Sequence, residues 1–313
     1  MRMIIKNEFT FPSRNETDKI HAYSWAPKDG NIRGIFQIIH GMQEYVERYE
    51  EFAIFLAKNG FLVVGEDHLG HGRTAATDKD LGYFTPHAAD TILVRDSHRL
   101  KKIIEEKHPG VPYFIMGHSM GSFILRKYLA MYGKGISGAI IAGTGCEPAF
   151  LTGSAIFLTR MLKLFRGDRY HSRFITKLAF GTYLKKIPNP KTASDWLTRD
   201  DEVVKKYRRD KFCTFKFSVN GYRALFKLIR YVCNPGNLTK ISKDMPILVT
   251  SGMEDPVGNY GKDPVKVYEQ YKNLGIKDVT LKLYKDCRHE IISELNKEEI
   301  HIDILNWVNA HIN

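Results

Sequence analysis

One stretch of this chain constrains its fold more than any other. Pro112–Met116 reads as an apolar strand and Ser119–Tyr132 carries the apolar spacing of a helix, with Gly117-His118-Ser119-Met120-Gly121 at their junction. A strand that passes into a helix with no intervening loop needs a tight turn. Glycines two places before and after the serine permit one, because the turn strains the central backbone and brings the helix close to the sheet. The surrounding sequence alternates in the same way. Period-two strands at 4–11 and 20–26, buried-strand runs at Gly34–Ile39, Phe61–Val64 and Ser137–Ala142, and helices at 46–58 and 89–107 follow one another with short connections. Such alternation predicts an α/β fold with a mostly parallel central sheet and helices on both faces.

The pattern stops near Cys146 and resumes with a strand at Pro246–Thr250, a helix at 263–274, a strand at 279–284 and a helix at 297–311. Residues 1–145 and 241–313 are therefore expected to form the core, and 146–240 an inserted helical cap, or lid. The 313 residues carry a net charge of +12, from 47 Lys+Arg against 35 Asp+Glu. The interval 146–240 holds 20 Lys+Arg and 7 Asp+Glu, leaving 27 and 28 elsewhere, so the excess sits in the cap. With 43% hydrophobic residues the chain is too apolar to be disordered. No apolar leader and no transmembrane run is expected. The four cysteines, Cys146, Cys213, Cys233 and Cys287, lie far apart, which predicts reduced thiols and a cytoplasmic home.

A serine hydroxyl is a weak nucleophile and needs a base, which in turn needs an orienting acid. Downstream of the elbow, Asp255 follows the strand at 246–250 and His289 follows the strand at 279–284. Carboxyl ends of strands are where catalytic groups gather in open α/β sheets. Glu254 and Asp263 are the alternative acids; His301 and His311 fall within the terminal helix and read as packing or surface residues. The oxyanion would be held by the backbone N–H groups of Met120, just after the serine, and of Met42, in the loop His40-Gly41-Met42. Neither metal nor organic cofactor is called for. His68 and His71 beside Asp67 offer a His-x-x-His pair without a third ligand cluster, and read as a hydrogen-bonded structural loop.

Together these segments resemble the monoacylglycerol lipase and lysophospholipase group of α/β-hydrolases, the serine aminopeptidase-like hydrolases. The likeness rests on His40-Gly41-Met42 with Glu44, Arg48 and Tyr49, on Asp67–Gly72, on Gly117–Gly121, on Asp255-Pro256-Val257-Gly258 and on Arg288-His289-Glu290. It implies the α/β-hydrolase fold, a Ser119–Asp255–His289 triad, oxyanion donors at Met42 and Met120, and hydrolysis of a small lipid-like ester. Three positions depart from the group: Tyr45 where His is common, Leu69 in place of Arg, and Glu66 in place of a proline. A thioesterase or an aminopeptidase of the same fold are the enzymatic alternatives. A non-catalytic lipid- or membrane-binding protein on a hydrolase scaffold is the alternative outside enzymes.

Substrate contacts are expected from Gly41, Glu44, Arg48 and His118 around the elbow, and from Phe150, Phe157 and Met161 on the first cap helix. Phe150–Arg166 is apolar around most of its circumference, which suits a lid over an acyl-chain pocket, a membrane-facing helix, or a helix simply packed on the core. The basic run Lys205–Phe212 fits a charged helix face with Tyr207 and Phe212 turned inward, or a contact for lipid phosphate, rather than a nucleic-acid site. Peripheral contact of the basic cap with an anionic membrane is therefore the partner expected besides the substrate. Cys287, two residues before His289, is expected to make turnover sensitive to bulky thiol reagents.

Overall fold

A computed structural model describes residues 2–312. Its eight-stranded sheet comprises β1 (Ile4–Pro12), β2 (Lys19–Pro27), β3 (Gly34–Ile39), β4 (Phe61–Glu66), β5 (Tyr113–His118), β6 (Gly138–Ala142), β7 (Ile247–Gly252) and β8 (Val279–Tyr284). The strand order is β1-β2-β4-β3-β5-β6-β7-β8. β1 pairs antiparallel with β2, and β2 antiparallel with β4; the other pairings are parallel. Nine helices connect and cover the strands among the described residues: α1 (Glu50–Lys58), α2 (Ala89–Lys107), α3 (Met120–Tyr132), α4 (Ala149–Arg166), α5 (Arg173–Phe180), α6 (Asp201–Arg209), α7 (Val219–Val232), α8 (Lys262–Asn273) and α9 (Lys297–Ala310).

The central strands β3–β7 are buried throughout, as their continuous apolar runs require. Alternate residues feed two cores. Ile35, Ile39, Ile115, Ile141 and Val249 pack with Leu93, Ile124, Tyr128 and Val267 of α2, α3 and α8. Phe36, Ile38, Met116, Ile140 and Leu248 pack on the other face with Phe52, Leu56, Ile300 and Ile304 of α1 and α9. Each such side chain removed from water contributes roughly 1.5–3 kcal/mol. The register sets the strand ends level: Ile39 pairs with Gly117, His118 with Ala142, and Gly252 with Tyr284. Every loop that leaves a parallel strand at its carboxyl end therefore emerges along one edge.

The interval between β6 and β7 carries α4–α7 and no strand among the described residues. Its helices do not form one unit. Tyr222, Ala224, Leu228 and Val232 of α7 belong to the main core, beside α2 and α3. α4 packs on α7, with Leu158 and Leu162 set against the main core, whereas Phe150, Phe157, Leu164 and Phe165 are exposed at 64–77%.

Glu66, which replaces the loop-leading proline, is fully buried at the end of β4. Burial, with Asp96 nearby, pushes its carboxyl up to about 8. The neutral acid fits its surroundings: it can donate to Ser97 Oγ, which donates to Leu93 O at 3.2 Å. An acid whose folded pKa is raised binds more protons folded than unfolded, so stability falls as pH rises from about 4.5 towards 8. Glu66→Gln is expected to raise Tm over wild type by a margin that grows across that window, read by thermal melts from pH 5 to 8. A margin independent of pH would show that the carboxyl titrates normally.

Candidate active site

Ser119 sits at the turn between β5 and α3 with φ 53° and ψ −121°. That conformation costs a non-glycine residue roughly 1–3 kcal/mol. It is held by Ser119 N–H donating to Ala142 O (3.0 Å) and by Ser122 donating to Ser119 O through its amide (2.9 Å) and hydroxyl (2.6 Å). Neither flanking glycine can be replaced without moving backbone. A Cβ on Gly121 would lie 2.0 Å from Ile39 O, and one on Gly117 2.3 Å from Gly121 O. Gly41 is equally confined, since a Cβ there would approach Ser119 Cβ to 2.8 Å.

Asp255, in the loop after β7, is fully buried. Its Oδ2 accepts from His289 Nδ1 at 2.9 Å and from Ser251 Oγ at 3.1 Å, and its Oδ1 accepts from Val257 N–H at 2.8 Å. A carboxylate only accepts, so the proton of a neutral His289 lies on Nδ1 and Nε2 keeps its lone pair. Ser119, Met42, Met120 and His289 line one cleft. The alternatives go elsewhere. Glu254 lies near Arg288, Asp263 pairs with Lys266, the His301 ring packs on Phe52 and Phe55, and His311 pairs with Asp278.

Behind this edge lies a buried charge quartet. Arg48 donates to both carboxylate oxygens of Glu290 (2.8 and 2.7 Å) and to Glu44 Oε2 (3.1 Å). Glu44 Oε1 also accepts from Gly41 N–H and from Tyr49 Oη. His118 faces two acceptors, with Nδ1 3.1 Å from Glu44 Oε1 and Nε2 3.2 Å from His289 O. Only the doubly protonated ring satisfies both. Burial opposes that charge, but the hydrogen bond to Glu44 and the Glu44 and Glu290 charges raise the His118 pKa above its ordinary value. The quartet carries two positive and two negative groups. Through it Glu44 fixes the Gly41 amide and His118 fixes the His289 backbone.

Of the residues expected to touch substrate, Glu44 and His118 line the cleft but spend their polar atoms on this quartet, and Arg48 lies behind it. Phe150, Phe157 and Met161 are not among the lining residues, because α4 turns Phe150 and Phe157 to solvent. The apolar wall consists instead of Phe123, Phe180, Tyr183, Trp196, Leu225 and Ile229. These were not singled out from sequence, although Leu225 and Ile229 stand four apart on a helix and carried that signal. The cleft encloses about 800 Å³, open mouth included. Trp196 stacks obliquely on His289 with ring centres 5.1 Å apart.

The loop at 67–74 is held by hydrogen bonds: Asp67 accepts from Val46 and Arg73 N–H (2.9 and 2.8 Å), and His40 accepts from His68 N–H (3.0 Å). Burial lowers His68 to about 3 and His71 to about 4, so both rings are neutral. Tyr207 of the basic run turns inward, its ring 5.0 Å from the Arg48 guanidinium. Cys287 is fully buried and donates to Asn296 Oδ1 (3.2 Å). Burial pushes its thiol up to about 11, which favours the protonated, less nucleophilic form.

A mostly parallel sheet covered on both faces, with a strained serine between strand and helix and a carboxylate–histidine pair at the same edge, defines an α/β-hydrolase. A family model described as serine aminopeptidase, S33, matches residues 30–296, and the chain belongs to that family. It is 28% identical to a monoacylglycerol lipase of Mycolicibacterium smegmatis over 292 residues, covering 92% of each chain. It is 23% identical to the phospholipase YtpA of Bacillus subtilis, over 88% of this chain and 95% of the other. Among solved structures, a thermostable carboxyl esterase from Bacillus coagulans in complex with glycerol superposes with a TM-score of 0.91 at 29% identity, covering 98% and 99% of the two chains.

Proposed function

We infer that this α/β-hydrolase cleaves carboxylic esters of lipid type, monoacylglycerol or lysophospholipid, through an acyl-serine intermediate on Ser119. The observation that carries this reading is the 2.9 Å Asp255–His289 hydrogen bond at the wall of an apolar cleft shared with Ser119. Asp255 holds His289 in the tautomer whose Nε2 accepts the Ser119 proton. Ser119 Oγ attacks the ester carbonyl while the Met42 and Met120 amides receive the oxyanion. His289 then protonates the leaving alcohol and activates the water that releases the acid. An acyl chain suits walls made of Phe180, Trp196, Leu225 and Ile229. Relatives named monoacylglycerol lipase and phospholipase support the same chemistry. An aminopeptidase needs free carboxylates for an ammonium group; here Glu44 and Glu290 are neutralised by Arg48 and His118, leaving Glu147 alone at the cleft. A fluorophosphonate probe is expected to label Ser119, located by peptide mass, in a protein that also turns over monoacylglycerol or lysophospholipid. A folded protein that stays unlabelled would overturn the reading.

In this reading the lid is α4–α6 of the interval 146–240, α7 being packed into the core. α4 exposes Phe157 and Phe165 together with Arg160 and Arg166, and α5 exposes Phe174 and Leu178 together with Arg173 and Lys177, which suits an anionic lipid surface. No helix among the described residues is long and apolar enough to cross a membrane. Stronger sedimentation with anionic than with neutral vesicles at low salt is expected; equal binding to both removes the electrostatic contact.

A further inference from the structure

The segment between α5 and α6 is stitched to the loop that carries His289. Glu290 N–H donates to Leu197 O at 2.7 Å, and His289 N–H to Trp196 O at 3.4 Å. The Arg288 guanidinium reaches the same segment, its Nη1 donating to Asp195 O (2.6 Å) and Thr198 O (3.2 Å). Glu294 is fully buried and joins the two segments. Its Oε1 accepts from Arg288 N–H (2.8 Å) and Arg199 N–H (3.2 Å). Its Oε2 accepts from Arg199 Nε (3.0 Å) and Leu295 N–H (3.1 Å). Arg199 also donates from Nη2 to Asn296 Oδ1 at 3.0 Å. The residues on both sides of His289 therefore have their amides committed. Arg288 N–H is given to the carboxylate that Arg199 holds, and Glu290 N–H to the backbone two places before Arg199. Of the four donors on Glu294 only Arg199 Nε belongs to a charged group, and a buried carboxylate depends most on such a partner. Arg199 and Glu294 lie 95 positions apart, so no local pattern in the sequence announces the pair.

We propose that Arg199 is a positioning residue for His289, acting through Glu294. Arg199 does not line the cleft and meets no reacting atom. Its guanidinium holds Glu294 Oε2, which aims Oε1 at the Arg288 amide, and His289 follows directly on that amide. The His289 ring must satisfy two points at once. Its Nδ1 lies 2.9 Å from Asp255 Oδ2, and its other nitrogen must address Ser119. Asp255 is itself fixed, by Ser251 Oγ (3.1 Å) and Val257 N–H (2.8 Å). A small shift of the backbone at 288–290 is therefore not followed by Asp255 and lengthens the Nδ1–Oδ2 bond instead. Misplacing a base in this way costs rate rather than binding. Trp196 comes from the same segment and lays its ring 5.1 Å from that of His289. The interval 146–240 thus supplies a brace for the base as well as the helices that cover the cleft. This inference rests on the reading of His289 as the base that serves Ser119.

The experiment has two readouts on the full-length protein. One is steady-state kinetics on a p-nitrophenyl ester. The other is the far-downfield proton NMR signal of the imidazole N–H shared with Asp255, assigned by its loss in Asp255→Asn. Arg199→Met is expected to lower kcat on the order of 10- to 100-fold, with KM within about twofold of wild type. The downfield signal should move upfield or broaden. Arg199→Lys keeps the charge, but one ammonium cannot span Glu294 and Asn296, so only part of kcat should return. Glu294→Gln turns an NH₂ group towards two donors in either orientation and should reproduce the loss. Combined with Arg199→Met it should add no further loss, since both act on one contact. Lys191→Met, which breaks an exposed ion pair with Asp201 in the same interval, should change neither readout. Wild-type kcat with an unmoved signal in Arg199→Met, a loss confined to KM, or additive losses in the double variant would overturn the proposal. If Arg199→Met does not fold, Arg199→Lys decides: full kcat with an unmoved signal overturns it equally. The NMR signal needs no substrate, so it reports on Arg199 even where fluorophosphonate labelling refutes Ser119 as the nucleophile.

Discussion

Asp255→Asn is expected to lower kcat by roughly 10⁴-fold while leaving the melting temperature near that of wild type. The orientation of the new amide follows from its neighbours. Val257 N–H donates to Oδ1 at 2.8 Å, so that position must stay an oxygen, and the NH₂ group must occupy the Oδ2 position. There it faces Ser251 Oγ, which can rotate to accept, and His289 Nδ1 at 2.9 Å. A ring nitrogen that receives a donor must itself accept, so the imidazole proton moves to Nε2. The base then presents a proton where it should take one. Activity should recover in part with rising pH, as hydroxide takes over the role of the base. Steady-state kinetics on a p-nitrophenyl ester would measure the loss. A variant within tenfold of wild type would mean that Asp255 does not set the tautomer.

Arg48→Met is expected to cost roughly 3–5 kcal/mol, the range for removing one partner of a buried ion pair, and to lower Tm by on the order of 10 °C. Methionine fills the space but leaves Glu44 and Glu290 with His118 as their only cation. The pH dependence carries a sign. The His118 pKa is raised in the folded state, so its contribution is complete below the unfolded value near 6.5 and fades as pH rises through the folded one. The deficit of the variant should therefore widen at alkaline pH and narrow towards pH 6. Calorimetric melts of both proteins across that range test it. Coincident melts would show that the quartet adds nothing to stability.

These two residues differ in how far the sequence reveals them. Asp255 is legible because its position follows a strand end, and parallel strands end at a common edge. His289 and Ser119 are legible for the same reason, and the elbow glycines because only hydrogen fits against Ile39 O and Gly121 O. Arg48 is visible as a residue of interest but not in its use. Its partner Glu290 lies 242 positions away, and nothing local indicates that both oxygens are taken.

The interval 146–240 shows the same division. Its helical character is written in local spacing, but the direction its helices face is not. α4 is apolar almost all round, so its sequence contains no preferred side; packing on α7 leaves Phe150 and Phe157 in solvent. The cleft wall falls to Phe180, Tyr183, Trp196, Leu225 and Ile229, brought together from three separate segments. The sequence by itself determined the order of strands and helices, the sharp turn at Ser119 and the loops that hold Asp255 and His289, because each depends on neighbouring residues and a repeating period. The tertiary structure alone decided which charges neutralise one another and which apolar faces meet the cleft, because burial and Coulomb pairing join residues that are distant in the chain.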